Sequence, residues 1–183
     1  MDNGASSYRR FLEGDERAFD VLMEELFPGL VFFINRFVQD IHAAEDIAID
    51  TFSDLVVHRH RYNFKVTLKT YLYMVGRSRA LDHLRSRKRE EWVPLEDAGE
   101  LADEAALLEQ QVLADEGKRR IRAAVAALPQ DMAVAVHLVY FAEMTYEEAA
   151  RVMKKNRKQV DNLLYRAKKE LRIILGKDGE LLV

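Results

Sequence analysis

The chain's 183 residues are 49% hydrophobic and 32% charged, with 8 glycines, 3 prolines and no cysteine. That mix excludes collagen-like, mucin-like and wholly disordered chains, disulfide scaffolds, thiol catalysis and Cys-bearing zinc sites, and it disfavours an all-β fold, which needs a turn every few residues. The net charge of −3 and pI near 6.0 look wrong for a nucleic-acid binder, whose domains commonly exceed a pI of about 9, until the charge is read in blocks.

In chain order the periodicities are helical. Phe19, Leu22, Met23 and Leu26 lie on one helical face, with Asp15 expected to cap its start. Pro28 suits the first turn of a second helix, striped by Leu30, Ile34, Phe37 and Ile41. A third helix is expected over about 43–61, turning Ile47, Ala48, Phe52, Leu55 and Val56 inward. The period fails over 62–67, which reads as a loop. A fourth helix, about 68–88, buries Leu68, Leu72 and Val75, then Leu81 and Leu84. Four helices with short connections enclose one small core.

Within 77–89 stand Arg77, Arg79, Arg85, Arg87, Lys88 and Arg89 against Asp82 alone, whereas 90–117 holds ten carboxylates and neither Lys nor Arg. Pro94, Gly99 and Gly117 make the acidic stretch a linker, with a helix over 102–113 at its middle. Its charge suggests an expectation of its own, that the linker screens the basic surfaces from DNA in the free protein. From Lys118 a second domain begins: Ile121, Val125 and Leu128 give one helix ended by Pro129, and the apolar run 132–141 is read as a short helix. Thr145 to Glu148 forms a capping box. The helix behind it buries Tyr146, Ala149, Ala150 and Met153. A turn follows at Lys154 and Lys155, and Asn156 with Gln159 caps a longer helix striped by Val160, Leu164, Ala167, Leu171 and Ile174. This is a helix-turn-helix. Its second helix would present Arg157, Lys158, Asp161, Asn162 and Tyr165 to base edges in the major groove, and Arg166, Lys168, Lys169 and Arg172 to phosphates.

A second basic surface gathers Tyr62, Phe64, Tyr71, Tyr73, Arg77, Arg79 and Arg85, aromatics for stacking unpaired bases beside cations for the backbone. Enzymatic patterns are missing: no H-E-x-x-H, P-loop, G-x-G-x-x-G or G-x-S-x-G occurs, and His58 and His60, two apart on a helix, would point different ways. No catalytic, cofactor or metal site is expected. The readings left open are a nucleic-acid-binding protein with one surface for duplex and one for opened strands, a stand-alone dimeric regulator on a palindrome, and a helical protein-binding adaptor.

Two stretches sharpen the choice. Residues 44–52, AEDIAIDTF, resemble the "AEDLVQETF" stretch of the bacterial sigma-70 family, and 75–85, VGRSRALDHLR, resemble its "IARNLAIDHLR". With Leu128-Pro129 opening the second half and 160–171 similar to "VKSRLYRARKKL", the chain over about 14–175 resembles the extracytoplasmic-function (ECF, group-four) sigma factors. The resemblance implies an all-α fold of two small helical domains: a four-helix sigma region 2-like domain (1–90) and a helix-turn-helix sigma region 4-like domain (118–183), joined by the acidic linker (91–117). It implies a cytoplasmic chain, without membrane insertion, that binds core RNA polymerase and promoter DNA, with an anti-sigma factor as a possible further partner. Glu45, Asp46, Asp50, Phe52 and Asp54 would dock on polymerase. Tyr62, Asn63, Phe64, Lys65, Tyr71, Arg77 and Arg85 would hold the melted minus-10 strand. Arg157, Lys158, Gln159, Asp161, Asn162, Tyr165, Arg166 and Lys169 would read the minus-35 duplex, while the linker threads toward the polymerase's active site and RNA exit path. Three departures stand out: Lys154 where the family has Gly, Asp161-Asn162-Leu163 where Lys, Ser and Arg are common, and Tyr71 where a Trp is usual.

Overall fold

The computed structural model describes residues 4–90 and 116–176, and within these every regular element is helical. The chain divides into two compact units, Met1–Asp103 and Glu104–Val183. The expected linker up to residue 115, its helix over 102–113 and its screening role lie outside the described residues.

The first unit contains α1 (Ala5–Leu12), α2 (Arg17–Val38), α3 (Ile41–Val57), a 3-10 turn (Arg59–Arg61) and α4 (Leu68–Glu90), with α2 packed against each of the other three. No periodic pattern in the sequence marks α1. Pro28, expected to open a second helix, lies instead inside α2, which continues through it. An interior proline removes one ladder bond and costs about 3 kcal/mol. Leu22, Leu26, Leu30, Phe33, Ile34 and Phe37 of the same helix are all buried, each worth about 1.5–3 kcal/mol. Packing wins, and Pro28 itself lies on the exposed side of the helix.

Asp15 caps α2 as expected: the regular helix begins at Arg17 after Glu16, which makes no side-chain cap bond, and the Asp15 carboxylate accepts from the backbone N–H groups of Arg17 and Ala18. It also accepts both Nε (3.1 Å) and Nη2 (2.5 Å) of Arg10. That hydrogen bond holds the Asp15 carboxyl below the usual range. Gln39, at φ 54°, ends α2, and Asp40 caps α3 by accepting the Ala43 N–H at 3.1 Å. Ile41 thus opens α3 and is not the last member of the α2 stripe.

Nor does α3 run to Arg61. It stops at Val57, where its last carbonyls need partners. The Tyr8 hydroxyl donates to the Leu55 carbonyl at 2.9 Å. Asp54 Oδ1 takes His58 Nδ1 at 2.8 Å and Arg61 Nη1 at 2.7 Å, folding the chain into the 3-10 turn. The loop at 62–67 is present as expected. Thr67 then caps α4, its hydroxyl accepting the Thr70 N–H at 3.2 Å. Gly76 is where α4 meets α2: an added Cβ would lie 3.0 Å from Leu30 Cδ1, too close for ordinary contact. Beyond Ala80 no described side chain of α4 is buried, and Val75, Leu81 and Leu84 are only half-buried, as is Val56 of α3.

The second unit has α5 (Glu116–Ala126), α6 (Gln130–Val136), one π turn (His137–Phe141), α7 (Tyr146–Met153) and α8 (Arg157–Leu175). α5 starts two residues before Lys118, inside the segment assigned to the linker. The apolar run at 132–141 is helical as read, and its last part widens to a π turn closed by Ala142 N–H to His137 C=O at 2.9 Å. The widening carries Tyr140 and Phe141 to the surface. α8 packs on α5, α6 and α7 through Val160, Leu164, Ala167, Leu171 and Leu175. Leu175 takes the place expected for Ile174, which is exposed, because eleven residues after Leu164 complete about three turns.

Candidate nucleic-acid interface

Both expected capping boxes of the helix-turn-helix are formed. Thr145 Oγ1 accepts the Glu148 N–H at 3.2 Å, and Glu148 Oε2 accepts the Thr145 N–H at 2.9 Å. Asn156 and Gln159 exchange the same two bonds at 2.8 Å each. Between the helices Lys154 adopts φ 55°, ψ 42°, so the left-handed position that suits glycine is filled by a residue with a Cβ. Lys155 N–H reaches the Ala150 carbonyl at 2.9 Å, a bond that needs this reversal. Lys155 Nζ also meets Asp131 Oδ2 at 3.1 Å, tying the turn to α6.

Burial of one stripe leaves the opposite face of α8 open. Arg157, Lys158, Gln159, Asp161, Asn162, Tyr165, Arg166 and Lys169 are all exposed, Tyr165 at 63%. Two are partly committed. Arg157 Nε pairs with Glu147 Oε1 at 3.3 Å, and the Gln159 side-chain oxygen is held at the cap, leaving its NH₂ as the free group. Lys169 Nζ stands 5.3 Å over the Tyr165 ring and Lys168 Nζ 5.8 Å over Tyr140.

In the first unit the expected strand site separates into surface and support. Tyr62 is 4% exposed, donates its hydroxyl to the Val66 carbonyl at 2.8 Å, and packs 5.2 Å from the Tyr71 ring and 4.6 Å from Phe64. It is a floor, closed to a stacking base. Tyr73 is likewise core, against Phe33 at 4.8 Å. Burial raises the Tyr71 phenol above its usual value, with Asp54 acting the same way and Arg61 and Arg79 against it. What reaches solvent is Asn63, Phe64 and Lys65 at the loop tip, where Asn63 Oδ1 accepts the Lys65 N–H at 3.1 Å and Phe64, 37% exposed, sits at φ 59°. A bulky residue there is an outlier, costing about 1–3 kcal/mol, of a kind that clusters at functional sites.

On α4, Arg77 lies about 120° around the helix from Tyr71, whereas Arg85 shares the Tyr71 face roughly 21 Å along the axis. Arg85 is exposed and held by Asp82 at 2.8 Å.

The expected polymerase residues on α3 divide too. Asp46 and Asp50 are exposed and Glu45 is half-buried, 3.8 Å from His42. Phe52 is 2% exposed, wedged between Phe19 and Phe27, and serves the core. Asp54 is taken up by His58 and Arg61, with Arg79 at 3.6 Å. Burial pushes its carboxyl up, but those hydrogen bonds prevail and leave it below the usual value. Ile49 and Val57, unassigned from sequence, stand exposed on the same helix. A period reading marks which apolar positions can be buried, not which are left over.

Among the described residues no group of three His, Asp or Glu side chains could hold a metal ion, and no helix is long and apolar enough to cross a membrane.

Comparison with known proteins agrees with this geometry. The profile of Sigma-70 region 2 matches residues 22–90 and that of Sigma-70 region 4 matches 118–171. The RNA polymerase sigma-H factor of Pseudomonas aeruginosa is 30% identical over 172 residues, 88% of either chain. The ECF RNA polymerase sigma factor SigM of Bacillus subtilis is 26% identical over 145 residues, 79% of this chain and 87% of that one. In fold, the sigma factor RpoE solved with the anti-sigma factor NepR from Bartonella quintana superposes with a TM-score of 0.66 at 21% identity, over 87% of this chain and 98% of that one. The chain belongs to the sigma-70 family and is an ECF-type sigma factor, a non-enzymatic factor that directs RNA polymerase to promoters.

Proposed function

We propose that this sigma factor divides promoter recognition between its two units. The first unit docks on core polymerase through the exposed side of α3, where Glu45, Asp46 and Asp50 flank Ile49 and Val57 follows about two turns further along the helix. An apolar centre with a charged rim is the usual anatomy of a protein interface. Its loop tip, Asn63, Phe64 and Lys65, with Tyr71 behind it and Arg77 and Arg85 along α4, takes the melted minus-10 strand. The second unit reads the minus-35 element as duplex, α8 lying in the major groove with Lys158, Asp161, Asn162 and Tyr165 toward bases and Arg166 and Lys169 toward phosphates. Asp161 replaces a cation by an anion and favours a cytosine N4 donor over a phosphate. On this reading the domains run 1–90 and 118–183 with the acidic linker between, and the chain works in the cytoplasm beside the polymerase. An anti-sigma factor of the sort bound by the Bartonella quintana relative would have to cover one of these surfaces.

One observation carries the reading: the base-reading helix leads with a doubly bonded cap and keeps its whole polar face exposed. The test is run-off transcription on genomic DNA with purified core polymerase. Discrete transcripts that need both chain and core, and whose start sites share two spaced elements, are expected. Binding to a palindromic duplex without polymerase, and no transcript with it, would overturn the assignment.

A further inference from the structure

Helix α1 precedes the region-2 match, which begins at residue 22, yet it builds the floor and one wall of the strand site. Tyr8 is fully buried, its ring 5.7 Å from Tyr62 and 6.2 Å from Phe64, and its hydroxyl fixes the end of α3 through Leu55. The next two residues are exposed arginines with different fates. Arg10 is neutralised by Asp15. Arg9 has no carboxylate partner among the described residues, and its guanidinium stands 5.0 Å over the Phe64 ring. A third exposed cation, Arg59, stands 5.0 Å over Phe11 of α1. The strained, outward aromatic at the loop tip is thus backed by Tyr62 and covered by an arginine from another element.

We propose that α1 is part of the strand-binding site, with Arg9 and Phe64 forming one nucleotide subsite. In the free protein Arg9 occupies the ring face that an unpaired base would take. When the base stacks there, the guanidinium moves to the adjoining phosphate. The ring supplies sequence-tolerant stacking and the arginine a charge that carries no sequence information. The arrangement also gives the loop-tip strain a use: the left-handed Phe64 holds its ring against Tyr8 and Arg9 of α1.

The inference rests on the reading of 62–67 as the strand-capture loop, so the experiment separates the two. Holoenzyme is assembled from the full chain and core polymerase. The probe is a promoter fragment mapped by run-off, with its minus-10 segment pre-opened by mismatches, titrated between 50 and 200 mM salt (order-of-magnitude limits for counterion release). Arg9→Ala should leave core assembly unchanged, weaken fragment binding about five- to tenfold at low salt, and flatten the log–log salt slope by about one phosphate contact. Arg9→Lys should restore the slope. Phe64→Ala should weaken binding with the slope unchanged. If Phe64→Ala binds poorly but Arg9→Ala matches wild type in affinity and slope, the subsite is refuted and the loop assignment survives. Tighter binding by Arg9→Ala also refutes it, the arginine then being only an obstruction. If neither variant changes binding, the loop assignment itself fails and takes the subsite with it.

Discussion

Replacing Lys154 by glycine should make the second unit more stable although it removes a charge from a DNA-binding motif. Lys154 sits at φ 55°, ψ 42° between α7 and α8, is exposed, and lies where the chain must reverse for Lys155 to reach Ala150. A left-handed residue bearing a Cβ costs roughly 1–2 kcal/mol, and glycine's greater freedom in the unfolded chain returns roughly 0.5–1 kcal/mol. The net gain is about 0.5–1 kcal/mol, a two- to fivefold slowing of opening at about 1.4 kcal/mol per decade. Both units are helical, so a whole-chain melt would blend their transitions. Amide hydrogen exchange of α7 and α8 peptides reads this unit alone. Lys154→Ala keeps the Cβ and should exchange within about twofold of wild type, since surface changes stay within about 0.5 kcal/mol. Lys154→Val, with a branched Cβ, should exchange faster. Should the glycine variant protect α8 no better than the alanine variant, the left-handed geometry is not what the lysine costs, and the argument is wrong.

Tyr8→Phe leaves the Leu55 carbonyl buried without its donor and should cost the first unit about 1–2 kcal/mol, or several degrees of melting temperature at roughly 4–8 °C per kcal/mol, read by exchange of α3 amides. Phe52→Ala should lose about 3–5 kcal/mol through its cavity and weaken polymerase binding only in proportion to unfolding. Asp46→Arg, exposed, should stay within about 0.5 kcal/mol of wild-type stability while losing core polymerase in a pull-down; the reverse pattern would return Phe52 to the interface. Because Asp54 has its folded value depressed, its contribution is complete above the unfolded value near ~3.9 and fades as pH falls through the lower folded value. Asp54→Asn should therefore remove part of the acid sensitivity of the 58–61 turn, measured by hydrogen exchange across pH 2–5 (roughly the carboxylate range).

Local chemistry was legible in the amino-acid order because it depends on near neighbours. The two capping boxes, the helix-turn-helix, the loop at 62–67 and the basic outer face of α8 each follow from residues within one or two turns of each other. Tertiary packing decided the rest. Pro28 reads as a boundary by propensity, and only the buried stripe on both sides carries α2 through it. Tyr62, Tyr73 and Phe52 have the composition of binding residues, but their rings close a core whose other half comes from distant segments. Asp54 looks like one more surface acid until Arg61, His58 and Arg79 converge on it. Helix α1 is eight residues long, too short to be stable by propensity alone, and so left no strong periodic trace. Its existence depends on burying Tyr8 against the end of α3, a contact 47 residues away that no local pattern can announce.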